Sequence, residues 1–86
     1  MKPDIKQLLN YLKVKGYTSS KDVLGAYFNK GDRRFSLMKQ ANWYTCYHNV
    51  NKNNQWVLIS KSQIFDSYND ALFWVYQEIE KLPIGE

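Results

Sequence analysis

Cys46 and His48, in the run YTCYHNV, are the residues of this chain whose types could do covalent chemistry, a thiol nucleophile beside an imidazole base. On a strand, side chains two apart share a face, so the pair could meet. Such a pair also requires a group to orient the base and donors to hold an oxyanion, and neither accompanies it. The spacing therefore predicts a packed strand pair. One Cys and one His are too few for a closed zinc site. Gly25 and Gly31 belong to no phosphate-loop pattern, and the carboxylates form no recognisable acid–base pair. The expectation is a protein that is not an enzyme, with no catalytic residue, no metal and no cofactor.

The chemistry better represented is recognition of nucleic acid. Lys30, Arg33, Ser36, Lys39 and Gln40 cluster in KGDRRFSLMKQ, and Lys52 lies in the polar run NKNNQ. Arginine suits guanine, glutamine suits adenine, and lysine grips phosphate. Charge is distributed accordingly. Through Lys61 there are 11 Lys or Arg against Asp4, Asp22 and Asp32, giving +8; from Ser62 onward Lys81 alone opposes five acids, giving −4. A basic body and an acidic tail suit one phosphate-facing surface and one segment facing elsewhere.

The elements that must position these residues come from periodicity. At 86 residues the chain is expected to be one domain, 1–86, with a basic body over 4–61 and an acidic C-terminal helix over 62–86. A lone cysteine, no signal peptide and no membrane-length apolar run predict a cytoplasmic protein with no membrane contact. Pro3, then Ile5, Leu8, Leu9 and Leu12, and a stop at Gly16 predict a first helix. Ser19 and Asp22 have capping-box spacing ahead of Val23, Leu24, Tyr27 and Phe28, which predicts a short second helix ending at Gly31. Residues 32–41 fit two structures. As a helix they gather Phe35, Leu37, Met38 and Ala41 on an arc that Arg34 interrupts; as a strand, Phe35 and Leu37 face away from Arg34 and Ser36. Lys39, Gln40 and Ala41 favour the helix. Tyr44–Val50 and Trp56–Lys61 predict a hairpin around NKNNQ. Ser67 and Asp70 cap a last helix striped by Leu72, Val75, Tyr76, Ile79 and Leu82, with Phe73 and Trp74 off the stripe.

In this order, Ile5 through Ile59 resembles a winged helix-turn-helix DNA-binding domain. TSSKDVLGAYF stands where the second helix would be, DRRFSLMKQA where the recognition helix would be, and YTCYHNVNKNNQWVLI where the wing would be. The resemblance implies a small α+β domain of helices plus an antiparallel β-hairpin, winged-helix-like, with an additional C-terminal helix. It further implies double-stranded DNA as partner, with Arg33, Ser36 and Gln40 reading bases, Lys30 and Lys39 gripping phosphate, and Lys52 in the wing reaching the backbone or minor groove. The corresponding role is a small regulator or a phage or mobile-element accessory protein.

A function of another class fits the same chain: a phage- or plasmid-encoded module that binds, inhibits or redirects a host protein. Small size and surplus aromatics support it, since aromatic side chains anchor interfaces. Phe73 and Trp74 are the expected partner-binding residues, and a homodimer through the C-terminal helix would cover them.

Overall fold

The computed structural model describes residues 2–83. Its elements are α1 (Ile5–Val14), β1 (Thr18–Lys21), β2 (Gly25–Lys30), β3 (Arg33–Gln40), β4 (Trp43–Lys52), β5 (Gln55–Lys61) and α2 (Tyr68–Glu80). All five strands form one antiparallel sheet in the order β1-β2-β3-β4-β5, so every strand pairs with its neighbour in sequence. Both helices cover the same face.

The first helix follows from its ends. Asp4 accepts a hydrogen bond from the Gln7 amide at 2.8 Å, and the Gln7 side chain accepts from the Asp4 amide at 2.9 Å, completing a capping box. At the other end Gly16 adopts φ +94°, which lets Gly16 and Tyr17 donate back to the Lys13 and Leu12 carbonyls, both at 3.0 Å. Leu8 and Leu12 are the buried stripe. In α2, Ser67 caps the Asp70 amide at 3.0 Å, and Ala71, Leu72, Val75 and Ile79 are buried.

Between the helices the expected architecture is corrected. The structure is a two-helix, five-strand domain, and the helix-plus-hairpin arrangement of a winged helix is replaced by a meander sheet. The segment expected to be a second helix is β1, a loop and β2. Asp22 does cap, but it closes a turn: its Oδ1 accepts from the Leu24 amide at 2.8 Å and the Gly25 amide at 3.2 Å. Val23 and Leu24 stay exposed in that loop, while Ala26 and Phe28 alternate with Tyr27 as strand residues.

The segment expected to be a recognition helix is β3. Two-residue turns at Gly31-Asp32 and Ala41-Asn42 bracket it, since Lys30 pairs with Arg33 and Gln40 with Trp43. Burial decides the contest with helix propensity. As a strand, the segment buries Phe35 and Leu37 completely on the helix side, worth roughly 1.5–3 kcal/mol each, which outweighs the few tenths per residue favouring helix at Lys39 and Gln40. Phe35 stands opposite Phe28 and His48, and Leu37 opposite Ala26 and Cys46. These residues and the helix stripes form one core.

The expected hairpin is present and longer than its prediction, with a two-residue turn at Asn53-Asn54 in which both residues have positive φ. A register shift between His48 and Asn49 bends β5 against β4. Beyond β5 the chain continues along β4, where Tyr44 and Phe65 exchange backbone hydrogen bonds at 2.8 and 2.9 Å.

A strand position and a turn position predict stability changes of opposite sign. A Cβ at Gly25 would lie 2.2 Å from the Leu37 carbonyl oxygen and 2.9 Å from the Met38 Cα, so Gly25→Ala forces β2 from β3 and should cost about 1–3 kcal/mol. Ala41 sits at φ +49°, a conformation unfavourable for any side chain, so Ala41→Gly should stabilise by about 1 kcal/mol. Urea unfolding of the two variants measures both.

Candidate nucleic-acid interface

Strand alternation gives the sheet a second face, on the side away from the helices. Cross-strand register arranges it in rows: Ser20, Tyr27, Ser36, Tyr47 and Lys61 form one, and Thr18, Asn29, Arg34, Asn49 and Leu58 the next, about 6.8 Å away along the strands. Met38 opposite Thr45, and Gln40 opposite Trp43, continue it at one end; Asn51 opposite Trp56 continues it at the other. The five strands together carry seven Lys or Arg and no Asp or Glu; by register Arg34 and Lys61 lie on this face and the other five on the helix side.

Arg34 is the centre of this face. Its Nε donates to the Asn29 Oδ1 at 2.8 Å, and its guanidinium lies 4.6 Å from the Trp56 ring centroid and 5.8 Å from that of Tyr27. The cation thereby lies near two aromatic rings, Tyr27 on β2 and Trp56 on β5. Lys61 Nζ lies 5.7 Å from the Tyr47 ring in the same manner. Ser36 and Thr45, only 8% and 5% exposed, form a recessed polar floor; Ser36 stands between Tyr27 and Tyr47. Trp43 donates from its indole to Gln40 Oε1 at 3.3 Å. Such a surface offers stacking rings, hydrogen-bonding amides and hydroxyls, and fixed positive charge.

The residues expected to contact nucleic acid divide between two sides. Ser36 and Gln40 lie on the open face. Lys30, Arg33 and Lys39 share the register of Phe35 and Leu37 and point to the helix side, Lys30 with its ammonium 5.7 Å from the Tyr17 ring and Lys39 exposed beside Tyr44 and Tyr68. Lys52 is exposed at the β4–β5 turn. The open face brings together Arg34, Tyr27, Tyr47 and Trp56, none of them singled out from the sequence for this role. Their signal was the alternation about Arg34.

Phe73 and Trp74 are both half-buried against the core, with Phe73 stacked on Tyr76 at 5.5 Å and Lys2 above its ring at 5.8 Å.

Cys46 and His48 do share a face, but each engages a different group. The Cys46 thiol donates to the Ala71 carbonyl at 3.4 Å, and burial pushes it up to about 12 despite an opposing pull from Ser62. His48 stacks on Phe35 at 4.3 Å, and its Nε2 lies 2.6 Å from the Arg33 Nη1. A guanidinium only donates, so Nε2 accepts and the ring proton sits on Nδ1. Burial lowers the His48 pKa first and Arg33 lowers it further, against a smaller upward pull from Glu78. Glu78 accepts from the Ser60 hydroxyl at 2.7 Å; burial raises its pKa, but Ser60, Lys81 and His48 outweigh that and hold it low. Among the described residues no three His, Cys, Asp or Glu side chains are grouped to hold a metal ion, and no helix is long and apolar enough to cross a membrane.

Two measurements follow from this buried pair. His48 binds its proton less readily folded than unfolded, so the stability it confers is complete above the unfolded value near 6.5 and is lost as pH falls toward the lower folded value. Thermal midpoints should therefore drop from pH 7 to pH 5. His48→Gln, whose amide oxygen can still accept from Arg33, should flatten that drop; the Glu78 contribution is lost only below about 4.5. A thiol reagent at pH 8 should leave Cys46 unmodified until denaturant opens the core, because thiolate is the reactive form.

Compared with protein-family models, curated proteins and solved structures, the chain matches none.

Proposed function

We propose that this chain is a non-enzymatic nucleic-acid-binding protein that takes a single strand across the open face of its sheet. The observation that carries this is Arg34, lodged between Trp56 and Tyr27 on a face whose strands bear no carboxylate, the loop residue Asp22 reaching it at the Tyr27 hydroxyl. Aromatic faces on a positively charged surface stack bases of any identity, and arginine adds a planar cation that can stack or bind phosphate. Asn29, Asn49, Ser36 and Gln40 supply donors and acceptors within the same rows.

Shape favours a single strand over a duplex. Five strands at about 4.8 Å spacing make a surface roughly 19 Å across, wider than the roughly 12 Å major groove. Paired bases would present only their edges to that surface, whereas unpaired bases can lay their faces on Tyr27, Tyr47 and Trp56. The duplex-reading arrangement expected from the sequence required a helix where β3 lies.

Fluorescence anisotropy with labelled oligothymidine, oligouridine and a duplex of equal length, at 50 and 200 mM salt, tests the assignment. Tighter binding of a single strand than of duplex, weakening with salt, is expected. Arg34→Gln and Tyr47→Leu should each weaken it by roughly 5- to 150-fold, the effect of losing one stacking or charged contact, with little loss of thermal stability. Absence of binding at 50 mM salt, or a duplex preferred over both single strands, would overturn it.

A further inference from the structure

The two edges of the sheet are unlike. At one, β1 is four residues long, TSSK, polar and exposed throughout, the usual means of keeping an edge from recruiting another strand. At the other, β5 is seven residues long and places Trp56, Val57, Leu58 and Ile59 in succession, 45%, 39%, 52% and 50% exposed. Apolar side chains therefore extend from both faces of an edge whose outer backbone groups face no other strand among the described residues. Neither charge nor proline interrupts Gln55–Ile59, and the register shift leaves Gln55–Leu58 regularly paired to Asn49–Lys52.

We propose that this edge pairs antiparallel with β5 of a second copy, about a two-fold axis through Val57, joining two sheets into one of ten strands. Residues opposite each other in an antiparallel pair share a face, which restricts the axis to pass through a residue. With the axis at Val57, that residue meets its own copy on the helix side, and Trp56 meets Leu58 of the second copy on the open face, twice by symmetry. Gln55 then stands opposite Ile59, and Lys61 opposite the turn residue Asn53, so no like charges oppose each other in the paired segment. A two-fold interface needs a self-complementary strip, and QWVLI is one.

The surface available suits this occupant. At those exposures the four residues leave about 400 Å² on each copy, the size of the largest apolar patch on a typical monomer, which is often functional. Two such strips with their backbones approach about 1,000 Å², the lower bound of specific interfaces. A partner drawn by charge would find none at the strip's centre. The pairing stands independently of nucleic-acid binding, and it would make one continuous surface of two open faces.

Sedimentation of the intact chain at roughly 50 µM, combined with thiol cross-linking, decides this. Val57→Cys places thiols opposite each other across the axis at a Cβ separation of about 4.5–5.5 Å, close enough to bridge with small adjustment. Buried Cys46 offers no competing thiol, and Val23→Cys, on a loop residue 98% exposed, is the control for random collision. A dimeric wild type, oxidation of Val57→Cys to a covalent dimer at least tenfold faster than the control, and a folded monomer for Leu58→Lys are expected. A monomeric wild type whose Val57→Cys variant oxidises no faster than the control would overturn the proposal and leave the edge for a strand of another protein. A dimer that survives Leu58→Lys, with no accelerated cross-linking at position 57, would overturn it too.

Discussion

Phe35 stands in the middle of β3 with Phe28 opposite on one side and His48 on the other, its ring stacked on the imidazole at 4.3 Å and wholly withdrawn from solvent. The rest of the domain depends on that placement. A slip of one residue in β3 would turn Arg34 and Ser36 toward the helices and send Phe35 and Leu37 into water. It would also remove Arg33 from the His48 nitrogen that accepts its hydrogen bond, leaving a buried imidazole unpaired. Hydrophobic burial and a polar constraint thus select the same register, and through β2 and β4 that register positions every row of the open face.

The strands and the second helix differ in the charges they carry. The strands carry cations only, whereas α2 bears Asp70, Glu78 and Glu80. The acids are used locally: Asp70 pairs with Lys2, Glu78 holds Ser60 and Lys81, and Glu80 accepts from Tyr11. These contacts are mostly exposed and contribute little each. Arg34 and Lys61, by contrast, act on the open face with no strand carboxylate beside them.

The helices and the final hairpin were legible because their information is local. Ser67 with Asp70, the leucines of α1 and the asparagine turn each act within a few residues. The stretch from Ser19 to Gln40 was not. Its capping-like pair at Ser19 and Asp22, and its helix formers Lys39, Gln40 and Ala41, describe local preferences that lose to burial of Phe28, Phe35 and Leu37 between strands distant in sequence. Arg34 was the residue that told the two structures apart. It interrupts a helical apolar arc and fits a strand, and in the structure it is the centre of the candidate interface. As a strand, that segment separates the expected contacts, leaving the base readers Ser36 and Gln40 on the open face and turning the base reader Arg33 and the phosphate contact Lys39 to the other side.

Because each strand pairs with its sequence neighbour, all strands of the sheet have been made at Lys61, before α2. To the core that already holds Leu8, Leu12 and Tyr17, α2 adds Ala71, Leu72, Val75 and Ile79. At a synthesis rate of about 5–20 residues per second, the ribosome takes on the order of one to four seconds to pass from the end of β5 to the end of α2. The strands are thus all made before the helix that completes their cover, and until α2 joins them part of their apolar face is open to any chaperone or neighbouring chain that meets it.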